Sequence, residues 1–201
     1  MLRVVVPFRG RGAKSRLGRS AEETRALALA MLGDVLAACT AVGETAVVTD
    51  DDGGRAVAEE LQAAVVDDSG GGQGAAVAAA LAAIEPGPVL VVNADVPCVV
   101  PHDLRHLAAA TLAGGLAIVA AADGTTNALG LPMPSAFAPL YGTGSADRFR
   151  AHARGLGFEA VVVAIPNLAD DVDTIADLHR LQFRAGPRTQ AAIAYLFAEA
   201  S

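Results

Sequence analysis

Short apolar runs separated by alanine-rich stretches of helical length constrain this chain more than any other feature. In VLVVN (89–93) the first four positions are all apolar, so both faces of that strand must be covered. That marks a central strand in a sheet packed on two sides. LRVVVPF at the start, TAVVT (45–49), AAVV (63–66), LAIVAAA (116–122) and AVVVAI (160–165) read as its companions. A helix is expected from about Ala21 to Cys39, and another from near Gly53, after Asp50, Asp51 and Asp52. Strands alternating with helices predict an α/β fold with a mostly parallel sheet in a three-layer α/β/α, Rossmann-like arrangement. Asp123–Ser145, rich in Gly, Thr and Pro, reads instead as loops or a short antiparallel excursion laid over the sheet. No repeat or linker divides residues 1–201, so one domain is expected. Gln190–Ala200 reads as a terminal helix whose Ile193, Leu196 and Phe197 pack on the body or on a second copy, a homodimer.

Composition narrows the class. The chain is 53% hydrophobic, mostly Ala and Val, with only 4% aromatics, which suits a core of small side chains and argues against disorder. No apolar run approaches the roughly 20 residues of a membrane span. The first strand passes directly into a charged loop, unlike a signal peptide. Cys39 and Cys98 are too few for a disulfide framework, and a reduced, cytoplasmic setting is the expectation.

A net charge of −7 disfavours nucleic-acid partners. Yet six of the 15 cations (Arg3, Arg9, Arg11, Lys14, Arg16, Arg19) fall in the first 19 positions, where no Asp or Glu occurs. An acidic protein with one purely cationic segment is expected to meet an anionic small molecule there; the alternative is a merely solvated N-terminus.

Ligands of open α/β sheets sit beyond the carboxyl ends of the strands, and four polar clusters follow strands here. The first runs from Pro7 through Phe8, Arg9, Gly10, Arg11, Gly12, Ala13, Lys14, Ser15, Arg16 and Leu17 to Gly18. Glycines let backbone amides approach an anion, and the cations share its charge. Lys14 is the sole lysine in a chain that otherwise uses arginine, which points to a requirement for a compact ammonium. The letters match neither a Walker loop nor a GxGxxG fingerprint. In the second cluster, VNADVP, Asp95 stands where a carboxylate reaches one Mg²⁺ whose other ligands come from water and phosphate, although alone it is equally a turn residue. The third is Asp170, Asp171, Val172, Asp173 and Thr174. Asp171 and Asp173 point the same way in extended chain, and Asp173 also suits the N-cap of a following helix. The fourth joins Asp123, Gly124, Thr125, Thr126 and Asn127 to Tyr141, Gly142, Thr143, Gly144 and Ser145. A Gly-x-Gly-Ser turn opening a helix forms an anion nest, or else an ordinary helix start capped by Ser145. Two anion sites facing one metal site suggest a phosphorylated donor and a phosphorylated acceptor. His102 and His106 have i,i+4 spacing but no third ligand and read as a helix surface, while Cys98 reads as packing.

With AKSRL, ADVP, DGTT, YGTGSA and DVDT in place along nearly the whole chain, the sequence resembles the phosphoenolpyruvate or 2-phospho-L-lactate guanylyltransferases of coenzyme F-420 biosynthesis. That family is similar to the nucleotide-diphospho-sugar transferase fold of molybdenum-cofactor and sugar-nucleotide enzymes. The resemblance implies transfer of GMP from GTP to a phosphorylated three-carbon acid, with release of pyrophosphate and with Mg²⁺ as cofactor. It implies Lys14 and Arg16 on the triphosphate, within a nucleotide site of Pro7, Arg9, Gly12, Lys14, Ser15, Arg16 and Gly74. Lys14, Arg16 and Asp95 would be the catalytic groups, with Asp95 and Asp173 on the metal and Thr126, Gly142 and Ser145 on the acceptor. Two positions depart from the family pattern. Arg9 stands where Lys is common, and Gly72, Gln73, Gly74 stand where Gly-Leu-Asn is common, which leaves open how the base is recognised and so GTP over another nucleotide.

Overall fold

The computed structural model describes residues 2–10, 19–68, 70–113 and 115–198, the side chains of 197 and 198 excepted. Among these residues seven strands form one sheet: β1 (Arg3–Pro7), β2 (Glu44–Thr49), β3 (Ala64–Asp67), β4 (Val89–Val92), β5 (Gly115–Ala120), β6 (Thr126–Leu131) and β7 (Glu159–Val162). Their order is β3-β2-β1-β4-β6-β5-β7, so β4 is central, as its apolar run requires. All neighbours pair in parallel except β6, which runs antiparallel to both β4 and β5.

The placement of β6 corrects the expectation for Asp123–Ser145. The excursion is antiparallel, but it is inserted within the sheet, and all six of its strand residues are buried. Gly130 explains why TNALGL is a weak strand signal: a Cβ there would collide with Thr111 Oγ1 on the covering helix. The close approach excludes the branched residue that usually announces a strand.

Among the described residues the α-helices are α1 (Ala21–Thr40), α2 (Asp52–Glu60), α3 (Gln73–Ala82), α4 (Pro101–Leu112), α5 (Ser145–Gly155), α6 (Pro166–Ala169), α7 (Ile175–Leu181) and α8 (Pro187–Ala198). The period of two along the strands sorts them into layers. Val4 and Val6 of β1 and Leu90 and Val92 of β4 face a core shared with α1, α4, α7 and α8. Val5, Val89 and Val91 face the opposite core, filled by Ala76, Val77, Ala80 and Leu81 of α3 and Phe149 of α5. The result is the three-layer α/β/α sandwich.

Local chemistry fixes the helix starts. Ser20 Oγ accepts from the Glu23 amide at 3.2 Å while Glu23 accepts from the Ser20 amide at 2.8 Å, a capping box that opens α1. The terminal helix begins earlier than expected, at Pro187, and Ile193 and Leu196 are buried against the body. Those two residues are therefore committed within the chain; the side chain of Phe197 lies outside the described residues. Among the described residues, no helix is long and apolar enough to cross a membrane.

Candidate active site

A cleft opens beyond the carboxyl ends of β1 and β4, lined by Pro7, Phe8, Arg9, Ala28, Met31, Gln73, Asn93, Ala94 and Asp95. Pro7 and Arg9 thus lie where the sequence places them. Arg9 is half exposed, with Nε 3.7 Å from the Asp68 carboxylate, whose side chain is buried. Gly12, Lys14, Ser15 and Arg16 lie outside the described residues.

The acidic cluster is assembled by backbone pairing. The Val172 amide donates to the Asp95 carbonyl at 3.0 Å, which ties the chain after α6 to the turn after β4. Val172 is fully buried, so its neighbours on either side, Asp171 and Asp173, project together on the other face. Oxygens of Asp95, Asp171 and Asp173 all lie within 4.8 Å of one another. Burial first, then the charges of Asp95 and, less, Asp173, push the Asp171 carboxyl above the usual range, against the Asn127 hydrogen bond that favours the anion. Three carboxylates in this arrangement match the oxygen donor set of a hard divalent cation, whose charge relieves their repulsion.

Two groups keep their neighbours in place. Asn127, buried on β6, donates from Nδ2 to Asp171 Oδ1 at 3.3 Å and to the Ala169 carbonyl at 3.2 Å. Asp170, although beside the cluster, belongs elsewhere: Arg180 reaches it at 2.6 Å and Arg184 at 2.9 Å. Burial would raise its pKa, but the bonds from those two guanidinium groups prevail and lower it. The N-cap of α7 is Thr174, in a capping box with Asp177, so the capping role considered for Asp173 falls to its neighbour.

Thr126 and Ser145, both expected at the acceptor, are brought together, but beneath the surface. Ser145 Oγ lies 2.9 Å from Thr126 Oγ1, and both residues are buried. Gly142 is the exposed member of the trio, with φ +107°. The anion-nest expectation needs a correction here. The Ser145 amide already donates to the Gly142 carbonyl at 2.9 Å and the Ala146 amide to Gly124 at 3.3 Å. Ser145 is also not the N-cap of α5; that position is Gly144, in the left-handed region. Arg148 clamps the turn from below by donating to the carbonyls of Leu140, Tyr141 and Thr143. Tyr141 packs edge-on against Phe149 at 5.5 Å, and burial raises its phenol pKa.

Gly74 does not face the cleft. A Cβ on it would stand 2.7 Å from Pro139 Cβ, so the start of α3 is pressed against the 137–141 loop. The cleft side chain is Gln73, whose Nε2 donates to Asn93 Oδ1 at 2.6 Å; Asn93 Nδ2 in turn donates to the Thr126 carbonyl at 3.1 Å. Sequence reasoning named Gln73, Asn93 and Asn127 only as letters within longer motifs and gave none of them a contact of its own. Asn93 had one readable signal, lying two residues before Asp95 at the same strand end. His102 and His106 are exposed on α4, and Cys98 is buried with a raised thiol pKa, as packing predicts.

Comparison with known proteins agrees with this geometry. The family model described as "Guanylyl transferase CofC like" matches residues 2–196. The chain is 35% identical over 183 residues to phosphoenolpyruvate guanylyltransferase of Roseiflexus castenholzii, covering 88% of this chain and 86% of that protein. It is 40% identical over 184 residues to 2-phospho-L-lactate guanylyltransferase of Haloferax volcanii, covering 88% and 82%. A provisional nucleotide-diphospho-sugar transferase of Desulfovibrio desulfuricans shares the fold, with a TM-score of 0.79 at 17% identity over 98% of this chain and 95% of that one.

Proposed function

The chain belongs to the CofC-like guanylyl transferase family, and from that premise we propose that it transfers GMP from GTP to phosphoenolpyruvate, releasing pyrophosphate, in coenzyme F-420 biosynthesis. The observation that carries this reading is the convergence of Asp95, Asp171 and Asp173 beside a cleft whose other wall begins the cationic loop. Arg9, Lys14 and Arg16 hold the triphosphate, with Pro7, Gly12, Ser15 and the start of α3 at Gly74 shaping the nucleotide site. Asp95, Asp171 and Asp173 hold Mg²⁺, which when bound supplies charge neutralisation at the α-phosphate. Gly142 offers exposed backbone to the acceptor, and the Thr126–Ser145 hydroxyl pair sets the position of that turn and of any contact its own oxygens make.

The chemistry asks little else of the protein. An acceptor phosphate has a second pKa of about 6, so its oxygen is a nucleophile at neutral pH without a general base. That oxygen attacks the α-phosphorus in line, a phosphoanhydride bond forms, and the bond to the β-phosphate oxygen breaks. The residues contribute by holding donor and acceptor in register and by sharing the developing charge. The histidines at 102, 106, 152 and 179 have no part in it.

A second acceptor, 2-phospho-L-lactate, is favoured by the identity to the Haloferax volcanii protein. Pyrophosphate release from GTP and Mg²⁺ with phosphoenolpyruvate, 2-phospho-L-lactate and 3-phosphoglycerate in parallel decides between them. Release with phosphoenolpyruvate at the highest kcat/KM is expected. No release with any of the three would sink the proposal.

A further inference from the structure

The cleft carries two linked polar side chains that the proposed reaction has not used, Gln73 and Asn93. Gln73 is the first residue of α3, half buried, and lines the cleft together with Asn93 and Asp95. Its amide orientation is dictated from behind. The Thr126 carbonyl can only accept, so the nitrogen of Asn93 must face it, at 3.1 Å. Asn93 then turns Oδ1 toward Gln73, which must answer with Nε2, at 2.6 Å. One hydrogen of Nε2 is thereby committed. The second hydrogen and Oε1 remain, and among the described residues no donor reaches Oε1.

We infer that Gln73 reads the nucleobase, its carboxamide pairing with the N1–H and O6 edge of guanine in the one orientation that Asn93 and the Thr126 carbonyl permit. The inference rests on the nucleotidyl-transfer reading of the cleft, and chemistry assigns the partner. The triphosphate and the acid acceptor are polyanions with no N–H, and a carbonyl oxygen aimed at them is of no use. A donor beside an acceptor in one plane is what a carboxamide matches, and a base edge presents that pair. Guanine offers N1–H to Oε1 and O6 to the remaining Nε2 hydrogen. In the same pose adenine offers the reverse, an acceptor at N1 and a donor at N6. A freely turning amide would flip to serve either base. This one would have to break two hydrogen bonds first, so adenine leaves buried polar groups unmatched, and such mismatches carry large selectivity.

The test compares GTP, ITP and ATP, because inosine keeps N1–H and O6 and lacks only the exocyclic amine. Binding titrations on the full chain with Mg²⁺ and no acceptor need no turnover, so they report on Gln73 even if the proposed reaction fails. The wild-type protein should bind GTP and ITP within a few-fold of each other and ATP at least roughly tenfold more weakly. In Gln73→Leu, affinity for GTP and ITP should both fall roughly tenfold, with ATP unchanged. The KM for phosphoenolpyruvate should stay constant. Gln73→Met, which keeps the side-chain length, replaces the leucine variant should that one misfold, and the same shifts are expected. An unaltered GTP-to-ATP ratio in the variant would overturn the inference. So would rejection of ITP by the wild type, equal binding of ATP and GTP, or a change confined to the acceptor KM.

Discussion

At Asn127 one buried amide reaches both the Asp171 carboxylate and the Ala169 carbonyl, so that member of the acidic cluster has a fixed direction. Groups that orient metal ligands commonly change affinity by roughly 10- to 100-fold when removed. Asn127→Ala should therefore weaken Mn²⁺ binding, followed by calorimetric titration of the nucleotide-free protein, by about that factor. An affinity within two-fold of wild type would mean that Asp171 is oriented by something else. Gly74 makes a steric prediction. Gly74→Asn, which restores the residue common in the family, drives a Cβ to 2.7 Å from Pro139 Cβ and should cost about 1–3 kcal/mol in chemical denaturation. At this scale the place of Asp95 in the acidic cluster was legible, because it follows a strand whose four residues are all apolar and buried. Asp171 and Asp173 were not separable, since the choice turned on whether Asp173 capped a helix. That question was settled by Thr174, whose hydroxyl oxygen lies 2.7 Å from Asp177 Oδ2. The burial of Thr126 and Ser145 was invisible too, because both are polar and their mutual bond spans 19 positions of sequence.

Among the elements, α8 owes its start to a residue far away. Asp34, buried on α1, accepts from the Arg188 amide at 3.1 Å through Oδ1 and from the Thr189 amide at 2.8 Å through Oδ2. It acts as a cap supplied across the helix interface, answering amides that have no carbonyl partner in the first turn. Asp34→Ala should lower stability by about 1–2 kcal/mol, read from the shift of a denaturant midpoint at unchanged slope. A shift below about 0.3 kcal/mol would show that α8 does not depend on this cap. The same long reach explains what pattern reading missed. The helix was expected from Gln190, because Gly186, Pro187 and Arg188 lack an apolar period, and the cap that starts it comes from position 34. Strand β6 escaped for a related reason: Gly130 and Asn127 serve a helix contact and a carboxylate, and neither carries strand propensity. By contrast β1, β4 and β5 were plain, because each carries adjacent apolar residues that need cover on both faces.

For the whole molecule, folding brings three like charges within 4.8 Å beyond the carboxyl ends of the strands, at a cleft whose lining also includes Arg9. A cation that binds only this folded arrangement must stabilise it, by about 1.4 kcal/mol for each tenfold excess over its dissociation constant. Millimolar Mg²⁺ should therefore raise the melting temperature by a few degrees, and Asp171→Asn should abolish most of that rise. An equal rise in both proteins would place the ion elsewhere. The central claim is that an acceptor phosphate attacks the α-phosphorus of GTP in the cleft between β1 and β4. It is tested most directly by following GTP labelled at the α- or the γ-phosphorus in the presence of phosphoenolpyruvate and Mg²⁺. The α label should appear in the organic product and the γ label in pyrophosphate; γ label in the organic product or in orthophosphate would contradict the account.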